Sequence, residues 1–325
     1  MMDNKIRIGI LGAAQIAPRA IIAPAKKNER VEIIGIAASQ QERAKLYAEK
    51  HQIPLFFNNY KSLIECDEVD VVYIALANHL HYEWIIKAAE NKKHIMVEKP
   101  ICLSAADFKQ IENAVINNGV SLLETVMVQH HPFCNKVGEI VHSRKYGKLK
   151  SVETYMHYPF KIENNYRVSK TMGGGVFWDE AVYWLQFIQT FMGLAPIFIK
   201  GESEFSGPNG IDLSYKAQMR FEDNVHSFLS CSYENPYKYD HYVEFENAKL
   251  RIRNFLRPAL GYHKMAIDIQ DIDGLQIDRI EFLPQNYYEN QLDFFIKVIS
   301  KEIENIPLEK SFERIRLMEE IYSDN

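Results

Sequence analysis

Asp179 and Tyr183 stand four residues apart in a predicted helix that directly follows the glycines at 173–175. Residues at this spacing share one face of a helix, and glycines allow another group to approach its first turn closely. A carboxylate beside a phenol could move a proton to or from a substrate oxygen. Because the ordinary pKa of tyrosine, about 10, is too high for an efficient base, Tyr183 would need a neighbouring cation. In a run as apolar as FWDEAVYWLQF, a tyrosine is otherwise more often a core residue.

A second group of residues has the pattern of a nucleotide-binding turn. The apolar run IRIGIL leads into GAAQIA at residues 12–17, which is GxGxxG/A with alanine at the second and third glycine positions. Small residues there let the backbone turn tightly and approach a pyrophosphate, whose charge is met by N–H groups of the next helix. We therefore predict that Gly12, Ala14, Gln15 and Ile16 contact a dinucleotide. The alternative is a plain strand-to-helix turn.

The end of the next predicted strand indicates which dinucleotide fits. An NAD site normally has a carboxylate there to accept from the ribose 2′-hydroxyl. This chain instead has the neutral residues Ser39 and Gln40, with Arg43 one helical turn further on. These side chains could hydrogen-bond a 2′-phosphate without repelling it, so we predict NADP in preference to NAD. Arg43 could equally be a solvated helix charge.

Composition argues against several classes of partner. The 325 residues are 47% hydrophobic and 25% charged, as in ordinary globular proteins. The net charge of −5 gives no broad positive surface for nucleic acid or an anionic membrane. Cys66, Cys102, Cys134 and Cys231 form no CxxC pair, so neither a zinc site nor a redox pair is expected. We expect a cytoplasmic protein, because we find neither a signal-peptide pattern nor about 18 uninterrupted apolar residues.

The length predicts two domains, since one domain usually has about 150 residues. Residues 1–123 alternate short apolar runs with amphipathic stretches, the runs being IRIGILG, VEIIGIAA, VDVVYIAL, HIMVE and VSLLE. This is the pattern of βαβ units around a parallel sheet that is buried on both faces. We predict an α/β, doubly wound Rossmann domain over 1–123, with helices that start at Ser39 and Ser104.

Residues 124–325 have a different pattern. A helix is predicted from Pro132 to Arg144, and period-two alternation runs through LKSVETYMHYPF, YKAQMRFED, VHSFLSCSYE and HYVEFENAKLRIRN. Such alternation is typical of half-exposed antiparallel strands. Two helical patterns, YYENQLDFFIKVISKEI and LEKSFERIRLMEEIY, follow. We predict an α+β substrate domain with a large open, mainly antiparallel sheet, whose apolar face would form a homodimer or homotetramer.

Four ordered motifs resemble those of the glucose-fructose oxidoreductase/inositol dehydrogenase (Gfo/Idh/MocA) family: GAAQIA, DVVYIALANHLHYEWIIKAA, KHIMVEKP and GGGVFWDEAVYW. The resemblance covers essentially the whole chain, and its four motifs lie between residues 12 and 184. The family's TPNxxH segment has Ala77 here in place of proline and keeps Asn78 and His81. The tyrosine at position 183 resembles the dihydrodiol dehydrogenase-like branch. Glu180 and Ala181 depart from the family's small or apolar pair, which leaves room for a changed pocket.

The resemblance implies roles for individual residues. Lys99, in the EKP motif, would stabilise negative charge on the substrate oxygen and lower the pKa of Tyr183, the expected proton-transfer group. A lysine after a strand, taken alone, would more often be a surface charge. Asp179 would orient these groups or accept a substrate hydroxyl. Implied cofactor contacts are Leu76, Asn78, His81, Glu98 and Lys99, and implied substrate contacts are Arg167, Trp178, Asp179 and Tyr183.

Two further features leave alternatives open. Arg167, in the segment NYR, could reach substrate hydroxyls or form a structural pair across the domains. The adjacent His130 and His131 precede Pro132 and have no carboxylate at ligand spacing. They are therefore expected in the core or the cofactor pocket, and no metal is predicted.

The predicted function is NAD(P)-dependent interconversion of a secondary alcohol and a ketone, or a lactol and a lactone, on a sugar, cyclitol or diol. One alternative is a catalytically silent nucleotide-binding sensor on the same scaffold. The joint presence of Lys99, Asp179 and Tyr183 argues against it. Another is an enzyme whose cofactor stays bound while it alternates between two substrates.

Overall fold

The structure, a computed structural model, describes residues 5–160 and 165–324. It divides the chain into two units that are each formed from two stretches of sequence. Unit 1 comprises Met1–Thr125 and Tyr288–Phe312, and unit 2 comprises Val126–Tyr287 and Glu313–Asn325. No helix of the described residues is long and apolar enough to cross a membrane.

Unit 1 is built around a parallel sheet, which within the described residues has six strands in the order β3-β2-β1-β4-β5-β6. The strands are β1 (Ile6–Leu11), β2 (Val31–Ala37), β3 (Leu55–Phe57), β4 (Val71–Ile74), β5 (His94–Val97) and β6 (Leu122–Glu124). The helices that alternate with them are α1 (Ala23–Lys27), α2 (Gln41–His51), α3 (Tyr60–Ile64), α4 (Asn78–Glu90) and α5 (Ala105–Asn118). Central strand residues such as Ile10, Val72 and Ile95 are fully buried, because helices cover both faces of such a sheet. The predicted doubly wound Rossmann fold is confirmed.

One of the two predicted helix starts is confirmed, and one short strand was not predicted. Ser104 caps α5 as predicted, and its side chain accepts from the backbone N–H of Asp107 at 3.0 Å. The predicted helix start at Ser39 was wrong, because Gln40 occupies the N-cap position of α2. The sequence patterns did not predict β3. This strand has only three residues, and they are largely exposed, so it shows neither a buried apolar run nor an alternation of apolar and polar residues.

Unit 2 contains a second sheet, with eight strands in the part of the chain that is described, in the order β14-β13-β12-β11-β7-β10-β9-β8. Its elements are α6 (Pro132–Ser143), β7 (Leu149–His157), α7 (Val176–Gln189), β8 (Phe198–Glu202), β9 (Ser214–Arg220), β10 (His226–Ser232), β11 (Lys238–Phe245), β12 (Lys249–Ile252), β13 (Met265–Gln270) and β14 (Gln276–Phe282). Neighbouring strands are antiparallel except β7 and β10, which are parallel. The predicted, mainly antiparallel sheet is confirmed.

The apolar face of this sheet is covered by helices of the same unit. On β9, Tyr215, Ala217 and Met219 are buried while the intervening residues are exposed, and α7 packs against β7, β9 and β10. The predicted oligomer through this sheet stays a prediction, and it would have to use the opposite face, because α7 packs on this one. Alternation identifies the apolar face of a strand but does not identify what covers it.

The two units differ from the predicted domains, 1–123 and 124–325, mainly in the C-terminal segment. After β14 come α8 (Tyr287–Ile299) and α9 (Leu308–Ser323), and residues 288–312 belong to unit 1 instead of unit 2. Asn305 Nδ2 donates to the carbonyl of Leu122 at 2.9 Å, and the ring of Phe312 lies 5.6 Å from that of Phe108. Hydrophobic periodicity cannot reveal such contacts, because it reports only on neighbours along one element.

Candidate active site

Gly12 lies where the chain leaves β1, at the point where the strand order of the unit 1 sheet reverses. Its φ is +105°, and a Cβ there would lie 2.3 Å from the carbonyl oxygen of Ala75, which follows β4. Only glycine allows this approach. In open α/β sheets, ligands bind in the crevice at such a reversal. The turn at 12–17 therefore has the backbone cradle that a dinucleotide pyrophosphate requires.

Tyr47 of α2 holds this turn in place. Its hydroxyl donates to the carbonyl oxygen of Ala14 at 2.9 Å. Burial raises the pKa of Tyr47 to about 12, so the hydroxyl keeps the proton that it donates. The chain then forms a π-helical turn over Pro18–Ile22 before α1, in place of the regular helix start that the motif suggested. Tyr47 could not be identified from the sequence, because nothing in the spacing of α2 indicates which turn its side chain reaches.

The residues predicted to select NADP come together after β2. Arg43 Nη1 lies 3.4 Å from the hydroxyl of Ser39, and Gln40 precedes α2 on the exposed surface. Burial raises the pKa of Tyr60, whereas the charge of Arg43 and a hydrogen bond with Ser39 lower it. Tyr60 therefore belongs to the same cluster. It was missed because it follows β3, the strand that the sequence did not reveal.

The loops after β4 and β5 are joined by His81. The imidazole is fully buried, with Nδ1 2.7 Å from the carbonyl oxygen of Pro100 and Nε2 3.1 Å from that of Leu76. Burial lowers the pKa of His81, and these carbonyls and the Glu124 carboxylate oppose that effect. Asn78, the first residue of α4, is 3% exposed. His81 thus links the two segments from which the resemblance implied cofactor contacts.

Glu98 and Lys99 follow β5 directly. The hydroxyl of Tyr73 donates to Glu98 Oε1. Burial raises the pKa of Glu98, and the bond from Tyr73 and the charge of Lys99 lower it. The Lys99 ammonium therefore lies close enough to Glu98 for the two charges to interact, as expected if Glu98 orients Lys99.

In unit 2, Asp212 fixes the start of α7. Its Oδ2 accepts from the backbone N–H of Phe177 at 2.7 Å, and its Oδ1 accepts from the hydroxyl of Tyr322 at 3.1 Å. A Cβ on Gly175 would lie 2.0 Å from Oδ1, which explains the last glycine of the cluster. A residue far along the chain therefore caps this helix, in place of the usual adjacent residue.

Burial raises the pKa of Asp212 to about 7, which gives a prediction for stability. Since the folded protein binds this proton more tightly than the unfolded chain, Asp212 should make stability fall from about pH 4 to about pH 7. We expect Asp212→Asn to remove this contribution to the pH dependence, so that the variant becomes more stable than the parent by about 2–4 kcal/mol above pH 7. Urea unfolding across this pH range measures the effect.

Asn keeps an oxygen for the N–H of Phe177, so the substitution changes mainly the charge. Asp67→Asn, at an exposed aspartate, is the control and should leave the pH slope intact. An unchanged slope in Asp212→Asn would mean that Asp212 does not titrate in this range.

Asp179 is the centre of a buried polar network. The guanidinium of Arg167 donates to it from Nε at 2.7 Å and from Nη2 at 3.0 Å. The hydroxyls of Tyr158 and Tyr233 donate to Oδ2 at 2.9 Å and 3.1 Å. Because a carboxylate offers about four lone-pair sites, this network leaves little capacity for a substrate hydroxyl. The geometry therefore favours the orienting role over the substrate-accepting one.

Arg167 pairs within its own unit, not across the domains as one alternative had it. Burial alone would lower the pKa of its guanidinium, but the charge of Asp179 raises it. Trp178, also predicted as a substrate contact, is 6% exposed and packs against Phe177 and Tyr322. Both side chains therefore support the start of α7.

Tyr183 lies one turn beyond Asp179 on α7, as the spacing predicted. It is 6% exposed, and its hydroxyl contacts the sulfur of Met127 at 3.6 Å, a weak acceptor. Glu180, also buried, accepts from the hydroxyl of Tyr239 at 3.2 Å. The face of α7 that carries Tyr183 therefore has two carboxylates and several phenols around it. The sequence motifs did not identify Tyr158, Tyr233 and Tyr239, although each lies at or near the end of a predicted strand.

The described residues include no cluster of three or more side chains that could hold a metal ion. His131 is 2% exposed and its Nδ1 accepts from the N–H of Phe133, so it caps α6. Burial lowers the pKa of His130 and of His131 to about 4. The expectation that these histidines lie in the core is thus met for His131.

Comparison with known proteins gives matches along most of the chain. The model of the oxidoreductase family, NAD-binding Rossmann fold, matches residues 6–126, and that of the GFO/IDH/MocA C-terminal domain matches 134–253. D-xylose 1-dehydrogenase (NADP(+)) 2 of Haloferax volcanii is 25% identical over 97% of this chain and 95% of its own length. Trans-1,2-dihydrobenzene-1,2-diol dehydrogenase of Xenopus tropicalis is 25% identical over 69% of this chain and 68% of its own, in agreement with the predicted branch.

Similarity of fold extends over the complete chain. The crystal structure of a 3-ketoreductase from Actinomadura kijaniata, solved with NADP and TDP-benzene, matches with a TM-score of 0.88 at 24% identity, over 99% of this chain and 98% of that one. The N-terminal and C-terminal models of one family match here in order on a single chain. The protein is therefore an oxidoreductase of the Gfo/Idh/MocA family that binds a nicotinamide dinucleotide, as its four motifs predicted.

Proposed function

We propose that this protein is an NADP-preferring oxidoreductase that interconverts a secondary alcohol and a ketone, or a lactol and a lactone, on a sugar, cyclitol or diol. The observation that carries the proposal is the face of α7, where Tyr183 lies one turn from an Asp179 carboxylate anchored by Arg167, Tyr158 and Tyr233. The D-xylose 1-dehydrogenase (NADP(+)) relative supports NADP as the cofactor and a sugar as the substrate. The 3-ketoreductase structure, which contains NADP, supports the same cofactor.

Each residue has a distinct task in the proposed reaction. The bound nicotinamide supplies or accepts the hydride. Tyr183 donates a proton to the substrate oxygen in reduction and removes it in oxidation. Lys99 stabilises negative charge on that oxygen. Asp179 holds Arg167 and the neighbouring phenols in position, with Trp178 packed behind them.

The cofactor contacts follow from the cradle in unit 1. Gly12, Ala14, Gln15 and Ile16 would hold the pyrophosphate at a turn whose tightness depends on Gly12, which has no room for a Cβ beside Ala75. Ser39, Gln40 and Arg43, with Tyr60, would hold the 2′-phosphate. Leu76, Asn78, Glu98 and Lys99 would line the nicotinamide end. We propose that His81, with both ring nitrogens on backbone carbonyls, acts through the loops and not by direct contact.

Arg43→Ala should separate the two cofactors. Because the guanidinium would bind only the 2′-phosphate, we expect the KM for NADPH to rise about tenfold, the equivalent of roughly 1.4 kcal/mol. The KM for NADH should stay unchanged. Initial rates with each cofactor measure this, and Lys45→Ala on the exposed side of the same helix is the control. Equal effects on both cofactors would place Arg43 elsewhere.

The substrate class can be tested directly with purified protein. We would measure binding of NADPH and NADH, then reduced-nicotinamide absorbance during turnover of aldoses, ketoses, inositols and vicinal diols. Turnover of at least one polyhydroxylated compound is expected. A reduced-nicotinamide band in the protein as purified would instead indicate a cofactor that stays bound. Cofactor binding without turnover of any compound would favour the sensor alternative.

We further propose that the open face of the unit 2 sheet binds a second copy of this chain. That face carries the half-buried aromatic side chains of Tyr155, Tyr242 and Phe228, with Lys238 3.4 Å above the ring of Tyr155. A cavity of about 400 Å³ lies at one end of it, beside Glu153 and Arg220. Aromatic groups and charges of both signs suit a self-complementary interface.

The mass in solution tests this interface. We expect a dimer or tetramer at micromolar concentration in light scattering, and a monomer after Tyr155→Glu combined with Phe228→Glu, because buried carboxylates would be unpaired. Leu46→Glu, at an exposed position of α2, should leave the mass unchanged. A monomeric parent protein would rule the interface out.

A further inference from the structure

The peptide group between Pro100 and Ile101 is held at both of its ends. Its carbonyl oxygen lies 2.7 Å from Nδ1 of His81. Its N–H donates to Oε1 of Glu124 at 3.0 Å. Fixing the two ends of one peptide group fixes the orientation of its plane, because the group is rigid.

This fixed peptide controls the backbone next to Lys99. The intervening residue is Pro100, whose ring restricts φ to about −65°, so ψ of Pro100 is the main-chain torsion left to rotate between the held peptide and Lys99. On the other side, the N–H of Glu98 donates to the carbonyl of Ile74 in β4 at 2.9 Å. The backbone of Lys99 is therefore restrained from both directions.

Glu124 is itself placed by the sheet and by the returning C-terminal segment. It is the last residue of β6, opposite Val97 of β5. Its Oε2 accepts from the hydroxyl of Ser311 in α9 at 2.8 Å, and its side chain is almost completely buried. Burying a carboxylate is costly unless several groups bind it, and here its two oxygens bind two different segments.

We propose that Glu124 is a positioning residue, which together with His81 clamps the Pro100–Ile101 peptide and so sets the direction of the Lys99 side chain. This rests on the proposed function, in which Lys99 acts on the substrate oxygen. In this role Glu124 acts through the Ile101 amide and not through a contact of its own with substrate or cofactor. Its charge also opposes the effect of burial on His81, so the two ends of the clamp support each other.

The test compares three single variants. Glu124→Leu keeps the volume and removes both acceptors, and we expect kcat to fall about 10²-fold, the usual effect of a misplacement of roughly 1 Å. Glu124→Gln keeps an oxygen for Ile101 and an amide for Ser311, so it should retain most of the activity. Ser311→Ala, which removes only the distant partner, should have the smallest effect. The KM for NADPH should change little in all three.

Two further measurements distinguish positioning from general stability. Hydrogen exchange at the Ile101 amide should become faster in Glu124→Leu but not in Ser311→Ala. In a Lys99→Ala background, Glu124→Leu should cause no further loss of kcat, since it acts only through Lys99. Unchanged exchange at Ile101, or an equal loss of kcat in both backgrounds, would overturn the proposal.

Failure of the proposed function would look different. If the proposed function is wrong, the single variant Lys99→Ala will have the same kcat as the parent protein. The exchange rate at Ile101 would still decide whether Glu124 anchors the peptide.

Discussion

Tyr183→Phe is expected to lower kcat by about 10³-fold, within the range typical for loss of a general acid or base. The substitution removes one hydroxyl, which contacts the weakly accepting sulfur of Met127, and keeps the aromatic ring. The binding of NADPH should be unchanged. Steady-state kinetics with the compound identified in the substrate panel, together with NADPH titration, measure both quantities.

Tyr239→Phe offers a control from the same cluster. Its hydroxyl donates to Glu180, so its loss should reduce stability more than catalysis. Turnover by Tyr183→Phe at the level of the parent protein would exclude Tyr183 as the proton-transfer group. A drop in kcat that is equal in both variants would point to general disturbance of the α7 surface.

Lys99→Ala is expected to lower kcat by about 10²–10³-fold, as removal of one stabilising group at a developing negative charge does. The effect should appear in kcat more than in the KM for the cofactor. The charge of Lys99 also lowers the pKa of Glu98, so Glu98 should take up protons more readily in the variant. Kinetics and NADPH binding, measured side by side, test the first expectation.

Two lysine variants serve as controls for Lys99→Ala. Lys92→Ala, at an exposed lysine in the turn after α4, should leave kcat unchanged. Lys99→Arg keeps the positive charge but replaces the compact ammonium with a planar guanidinium, so it should retain only part of the activity. If Lys99→Ala weakens NADPH binding and leaves kcat intact, Lys99 binds the cofactor and takes no part in the chemistry.

Much of the fold was predictable, because it depends on patterns that are local in the chain. The Val/Ile runs of β1, β2 and β4 predicted a sheet buried on both faces, because the strands of such a sheet are apolar on both sides. Period-two alternation in β7, β9 and β10 likewise predicted the second sheet. The side chain of Ser104 and the glycine at position 12 each marked a turn that few other residues could form.

The candidate site was predictable where its members share one element or one motif. Asp179 and Tyr183 share a face because they lie on one helix, and Ser39 and Arg43 meet because they lie one turn apart. By contrast, the partners of Asp179 come from Tyr158 and Tyr233, each on another segment. Spacing along the chain does not show which side chains of different segments come into contact.

The sequence alone therefore determined the two fold classes, the tight turn at Gly12 and the residue types available for proton transfer. Tertiary structure decided that residues 288–312 return to unit 1, that α7 covers the apolar face of the second sheet, and that Glu124 reaches Ile101. The physical reason is that local patterns depend on the conformation of a few successive residues, whereas these contacts depend on which buried surfaces pack together. A side chain such as Asp179 acquires its role only when that packing brings Arg167 and two phenols to its oxygens.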